Sequence, residues 1–315
     1  MDKLLNSSKS KVFFPKQGFQ SIVSYFKPKF QKEYIMIVIA DMGATKTDWS
    51  FTEGSTIIKN IKTKGFNPYF HTTGEIVDLL RPEFLNEDFS NIEQVHFYGA
   101  GCSTEEKIKT VEHALKIYFP YASIEVNHDL LASARALCGK SPGIACILGT
   151  GSNTCLYDGM HIIANNPSLG FILGDEGSGG DLGRELIKSY YYGELTSELD
   201  KKFEQQFNVD KVSLLGNVYS TDKPNAFCAA FTPFLTQNIE EKCINDLVKN
   251  SFREFFNRHI LTYENYNKIP INFVGSIAHH FKTQLQEVAQ EFNSRIGVIV
   301  KAPVGKLIEY HNNIY

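Results

Sequence analysis

The spacing of apolar and polar positions predicts one order of strands and turns that occurs twice along the chain. A β-branched run at 37–40 ends in Asp41-Met42-Gly43-Ala44-Thr45-Lys46-Thr47. Alternation resumes over 48–51, followed by a Glu53-Gly54 turn and a further strand over 56–61. The same order returns over 144–148, the turn Gly149-Thr150-Gly151-Ser152-Asn153, 154–157, an Asp158-Gly159 turn and 161–164. The two turns, counted from Asp41 to Gly149, are 108 residues apart.

Two more pairs follow in the same order. A strand at 95–98 runs into Gly99-Ala100-Gly101 and an amphipathic helix through Ala114. It matches a strand at 271–274, Gly275-Ser276 and a helix through Ala289. A strand at 124–126 reaching Asp129, then a helix, matches 298–300 and the helix after Pro303. The offsets are now 176 and 174, so the second half carries an insertion of about 67 residues between roughly 165 and 267. Its pattern predicts helices over 181–192, 198–207, around 227–234 and over 239–264. Each half is then three strands joined by hairpins, followed by helix–strand–helix–strand–helix. The expectation is two similar α/β domains, 36–143 and 144–315, with mixed sheets and glycine turns converging on a central cleft.

Composition narrows the partners. With 43% hydrophobic and 13% aromatic residues, the 315-residue chain can bury a large core. The longest apolar run, 35–40, is stopped by Asp41, far short of a membrane span. The net charge of −3 is uneven: residues 1–35 hold seven lysines against Asp2 and Glu33, leaving −8 on the rest. Such a body has no basic footprint for nucleic acid, and small molecules or proteins are the expected partners. Residues 1–35 lack the apolar stretch of a secretory signal and contain no arginine. They are expected to be a mis-assigned start or a dispensable flexible tail, with a basic membrane or partner arm as the alternative. Six cysteines without a CxxC predict reduced thiols and a cytoplasmic protein. Tyr190, Tyr191 and Tyr192 are expected to form a helix packing face.

The turns carry the candidate chemistry. Asp41 stands at a strand end before a glycine, a hydroxyl and a cation, and backbone N–H groups in such a turn can meet phosphate oxygens. Asp41 suits Mg²⁺ held through a water. An ordinary hairpin has the same composition. The 149–153 turn, with two glycines, two hydroxyls and an amide, suits a phosphate clamp or a plain turn. It has neither the GxxxxGK[ST] nor the GxGxxG spacing.

Together, DxGxTK, GTGSN, GDEGS and a late strand-ending VGS in duplicated halves resemble the N-acetylglucosamine kinase and BadF/BadG/BcrA/BcrD ATPase family. That family belongs to the actin–hexokinase–Hsp70 superfamily. The likeness covers about 36–315, and GTGSN with the 170–180 segment some twenty residues on is its specific part. The resemblance implies an α/β fold of duplicated ribonuclease-H-like domains. It also implies ATP phosphates held at Gly43, Ala44, Thr45 and Lys46 and at Gly149, Thr150, Gly151 and Ser152, with adenosine at Gly275 and Ser276. Asp129 matches the catalytic aspartate, and Asn67, Asn153 and Asp175 match sugar-holding residues. Asp41 matches a metal ligand acting through water, and Glu176 either helps the metal or caps the helix that follows.

Sugar phosphorylation needs a base within reach of the attacking hydroxyl, and positioning with charge neutralisation lowers most of the remaining barrier. Asp129 also suits the N-cap of the helix 130–138. Neighbouring residues on a strand point to opposite faces, so His128 is expected to be structural or solvent-facing rather than paired with Asp129. The chain departs from the family pattern at Leu169, where a sugar-contacting tryptophan is usual. It departs again at His128, which separates Asn127 from Asp129. The resulting expectation is a kinase dependent on ATP and Mg²⁺ that phosphorylates the 6-hydroxyl of N-acetylglucosamine or a related amino sugar, with closure of the two halves around ligand. N-acetylmuramic acid is the nearest alternative substrate, because Leu169 leaves room for a lactyl ether. An activating ATPase and a catalytically silent sugar sensor are the rivals, and a homodimer stays open. Cys102 and Cys138 are expected to be buried thiols rather than cluster ligands.

Overall fold

The computed structural model describes residues 35–43, 46–208, 210–221 and 223–312. The expectation of a tail over 1–35 therefore lies, but for Ile35, outside the described residues. Residues from Ile35 onward form one compact unit.

The first half holds β1 (Met36–Met42), β2 (Lys46–Glu53), β3 (Thr56–Lys64), α1 (Thr73–Phe84), β4 (Gln94–Gly99), α2 (Glu105–Tyr118), β5 (Ser123–Asn127) and α3 (Asp129–Cys138). The second begins with β6 (Gly143–Leu148), β7 (Ser152–Tyr157) and β8 (Ile162–Asn166), and closes with β9 (Ile271–Val274), α11 (Ser276–His280), α12 (Lys282–Glu291), β10 (Ile296–Val300) and α13 (Val304–His311). The sheets have one plan, β3-β2-β1-β4-β5 and β8-β7-β6-β9-β10. In each, the leading strand runs antiparallel to its hairpin partner and parallel to the strand on its other side. The repeat expected from the periodicity is therefore present.

Between β8 and β9 lie α4 (Gly170–Leu173), α5 (Gly179–Tyr191), α6 (Ser197–Phe207), α7 (Lys211–Tyr219), α8 (Pro224–Ala229), α9 (Thr232–Gln237) and α10 (Lys242–Phe255). A π-turn, Phe256–Ile260, ends the last of these. The 239–264 helix is thus shorter than expected, and α4 and α7 were not anticipated. α7 shows why: it buries only Leu214, too little to leave an apolar stripe. Tyr190 packs as a helix face should, its ring stacked on Phe203 at 4.3 Å, while Tyr192 stays exposed.

Each half has its own core. Trp49 sits at the centre of the first, edge-on to Phe84 at 5.0 Å, its indole N–H donating to Thr63 Oγ1 at 3.0 Å. Two helices join the halves. α3 turns Ala132 and Ala136 to Ile37 and Ile39 of the first sheet, and Leu130, Ala134 and Leu137 to Ala145, Cys155 and Tyr157 of the second. α13 returns to the first sheet, burying Leu307 and Ile308 beside Ile37 and Ile39. Alanines at alternate positions of α3 are what let both sheets approach it. The six cysteines are free thiols, four of them buried, Cys102 included, while Cys138 is only partly so. Among the described residues, no helix is long and apolar enough to cross a membrane.

Candidate active site

The C-terminal ends of β1, β4, β6 and β9, with the N-terminal end of α3, surround a cavity of about 520 Å³. Asp41, Gly43, Lys46 and Asp48 line it from the first half, Thr150, Gly151 and Gly275 from the second, and Asp129 from α3.

The first turn is closed by Gly43 N–H donating to Lys46 C=O at 3.0 Å. Ala44 and Thr45 lie outside the described residues. Antiparallel pairing sets Asp41 opposite Asp48, and Lys46 Nζ lies 2.5 Å from the Asp48 carboxylate. Asp41 has two negative neighbours and little water. Burial first, then the charges of Asp129 and Asp48, push its carboxyl up to about 6 against the pull of Lys46.

The second turn is held from beneath. Gly149 and Thr150 give their carbonyls to the N–H groups of Gly179 and Gly180 at 2.8 and 3.0 Å. A Cβ on Gly180 would stand 3.1 Å from Thr150 O, a tight approach that glycine relieves where α5 starts. Asp175, buried and in the left-handed region at φ 60°, accepts the Ser152 N–H at 3.1 Å. Ser152 Oγ is buried without a hydrogen-bond partner. Gly275 ends β9 at φ 132°, where a Cβ would fall 2.0 Å from Leu148 O, so only glycine fits.

Other expected site residues lie outside this cavity. Ser276 starts α11 and faces a separate cavity with Thr232 and His280. Asn67 accepts the Tyr69 N–H at 2.9 Å and packs against Gly101, next to the cavity-lining Ala100. Asn153 Oδ1 accepts from Thr154 N–H at 2.9 Å and Asn165 Nδ2 at 3.1 Å. Glu176 does not join Asp41. Its carboxylate is paired with His259 Nε2 at 2.9 Å and Arg258 Nε at 3.1 Å on the π-turn, and the cap of α5 is Ser178 rather than Glu176.

Two expectations at α3 need correction. The N-cap is His128, whose Nδ1 accepts the Leu130 N–H at 3.1 Å, and Asp129 is the first helical residue. His128 does not point away from Asp129: its Nδ1 lies 2.7 Å from Asp129 Oδ1. The alternation of a strand fails here because β5 has already ended at Asn127.

Lys223 at the N-cap of α8, Asn225 in its first turn and Lys301 after β10 also line the cavity. No motif marked them. Asp48 could have been read from the hairpin register alone.

The chain is 41% identical to the putative N-acetylglucosamine kinase of Porphyromonas gingivalis, a solved structure, over 88% of its own length and 99% of that chain, with a TM-score of 0.84. It belongs to the N-acetylglucosamine kinase-like family. The putative N-acetylglucosamine kinase of Chromobacterium violaceum is 15% identical over 89% of this chain and 99% of that one, with a TM-score of 0.65. MreB 5 of Spiroplasma citri, solved with AMPPNP, is 9% identical over 89% and 95%, with a TM-score of 0.51. These two likenesses are of fold alone. No protein-family model matches the chain, and no curated protein does. The N-acetylglucosamine kinase-like fold is the duplicated ribonuclease-H-like, actin-like one, and the two sheets are its halves.

Proposed function

We propose that the protein is a kinase that transfers the γ-phosphate of ATP to the 6-hydroxyl of N-acetylglucosamine or a related amino sugar. The carrying observation is that Asp129, at the start of the helix shared by both halves, lines one cavity with Asp41 and both glycine turns. The 41% identity to the P. gingivalis protein supports the amino-sugar class.

The lining fits ATP with a divalent cation. Asp41 and Asp48 are hard oxygen donors, as magnesium prefers. Lys46, Lys223 and Lys301 answer a polyphosphate, and the bare backbone at Gly43 and Gly151 allows close approach. When bound, the cation supplies positive charge against the phosphate oxygens and ATP supplies the phosphoryl group. Asp41 would hold the cation through water, and the lysines would fix the phosphate chain. The Asp129 carboxylate would accept the proton of the attacking hydroxyl. We assign nucleotide phosphates to 43–46 and 149–152, adenosine to Gly275 and Ser276, and the sugar to Asn67, Asn153 and Asp175. Those three residues line no common cavity with Asp129, so the assignment requires the halves 36–143 and 144–315 to close on the substrate.

ADP release measured with ATP, Mg²⁺ and a panel of sugars, N-acetylmuramic acid included, tests the reading. Turnover is expected with an amino sugar only, and Asp129→Asn is expected to lower it about a thousandfold. A panel without turnover, or an active Asp129→Asn, refutes it.

A further inference from the structure

His128 Nδ1 has one lone pair and two neighbours that want opposite things from it. The Leu130 N–H, 3.1 Å away, needs an acceptor there, and using the nitrogen as one caps α3. Asp129 Oδ1, 2.7 Å away, needs a donor. That oxygen is buried and makes no hydrogen bond, because the nitrogen facing it is already accepting. Two acceptors at 2.7 Å repel, and a proton between them would join them. The pair therefore has two arrangements that differ by one proton.

We propose that His128 is a proton-operated positioning residue for Asp129. Neutral, the imidazole caps α3 and leaves the whole carboxylate charge available. Once Nδ1 takes a proton from solvent, the N–H donates to Asp129 Oδ1 and the cap on Leu130 is released. The charge held at Oδ1 makes the remaining, cavity-facing oxygen a weaker base. The activity then falls on the acid side because of His128 rather than Asp129 itself.

Neighbouring groups do not supply this effect. The charged groups that line the cavity with Asp129 are Asp41 on β1, Lys46 and Asp48 on β2, Lys223 before α8 and Lys301 after β10, and the Cys102 thiol after β4 feels the Asp129 charge. For the imidazole itself, the hydrogen bond that a protonated Nδ1 would give Asp129, and then the charge of Asp129, outweigh burial and hold its titration above the ordinary value. No other charged group contributes to that shift. The Asp41 carboxyl is raised to about 6 by burial and by the charges of Asp129 and Asp48, with no part played by His128.

The proposal rests on Asp129 being the base, but its first test does not. NMR titration of the His128 ring in the full chain, assigned by difference with His128→Asn, is expected to show a value above that of a free imidazole. Asp129→Asn should bring it down to or below the ordinary range. The Leu130 amide should shift with the same midpoint as its acceptor is withdrawn. A His128 titration unmoved by Asp129→Asn, or a Leu130 amide indifferent to pH, overturns the clamp whether or not the protein is a kinase. The second test is the pH profile of kcat/KM, each protein normalised to its own maximum. Asparagine keeps the cap but takes no proton, so His128→Asn should move the acid limb to lower pH. On falling from pH 8 to 6 the parent should lose a several-fold larger share of its kcat/KM than the variant. Superimposable profiles overturn the proposal, and absence of turnover with an intact NMR response overturns the kinase reading alone.

Discussion

Asp41→Asn should make the unliganded protein more stable while destroying its activity. Asp41 is packed at the end of β1 with Asp48 opposite and the charge of Asp129 close by, and Lys46 offsets only part of this. Its carboxyl rises from 3.8 to about 6, which corresponds to about 3 kcal/mol against the ionised form at neutral pH. Allowing for the residual exposure of the side chain, about 2 kcal/mol is the expected gain on replacing it with the neutral isostere. The folded state binds the proton that the unfolded state has lost between pH 4 and 6. Stability from this group therefore falls as pH rises through that window and is level above it. Denaturant unfolding of both proteins from pH 5 to 8, without divalent cations, measures the difference. The variant should gain about 2 kcal/mol at pH 7.5, a shift of about 5 °C in Tm, and the gain should fade as the pH falls towards 4. Turnover should drop more than about a hundredfold, because the group that would hold the cation is gone. A variant no more stable than its parent at pH 7.5, or a gain independent of pH, would refute the argument from crowded charge.

Two further substitutions probe the cavity wall. Gly275→Ala places a methyl 2.0 Å from Leu148 O at φ 132°, backbone against backbone, and should cost about 3 kcal/mol or more in thermal unfolding. Lys301→Met should raise the KM for ATP about tenfold in steady-state kinetics while leaving the KM for the sugar alone.

What could be read from the chain and what could not divide along a physical line. Strand alternation and glycine turns are local, so the two sheets, their shared order and both glycine turns are legible in the sequence. The faults lie where the chain changes direction or where distant segments meet. Alternation makes residues 128 and 129 strand neighbours, but the extended His128 (φ −72°, ψ 146°) is already the cap of α3, and its side chain turns back onto the helix. Asp175 and Glu176 stand side by side in GDEGS, yet the positive φ of Asp175 sends one carboxylate to the Ser152 amide and the other to the π-turn. Lys223 and Lys301 come from loops 78 residues apart, and charge acts over distance in space, which no spacing records. Their arrival changes the electrostatics. The chain after residue 35 carries −8, but the cavity is lined by three carboxylates, Asp41, Asp48 and Asp129, and three lysines, Lys46, Lys223 and Lys301. Lys46 is paired with Asp48 on β2, while burial and the charges of Asp129 and Asp48 raise the proton affinity of Asp41 at the end of β1. A cavity lined by as many lysines as carboxylates would meet an anionic nucleotide without surplus repulsion. The negative charge gathered around Asp41 is one that a divalent cation, or a proton on Asp41 itself, would discharge.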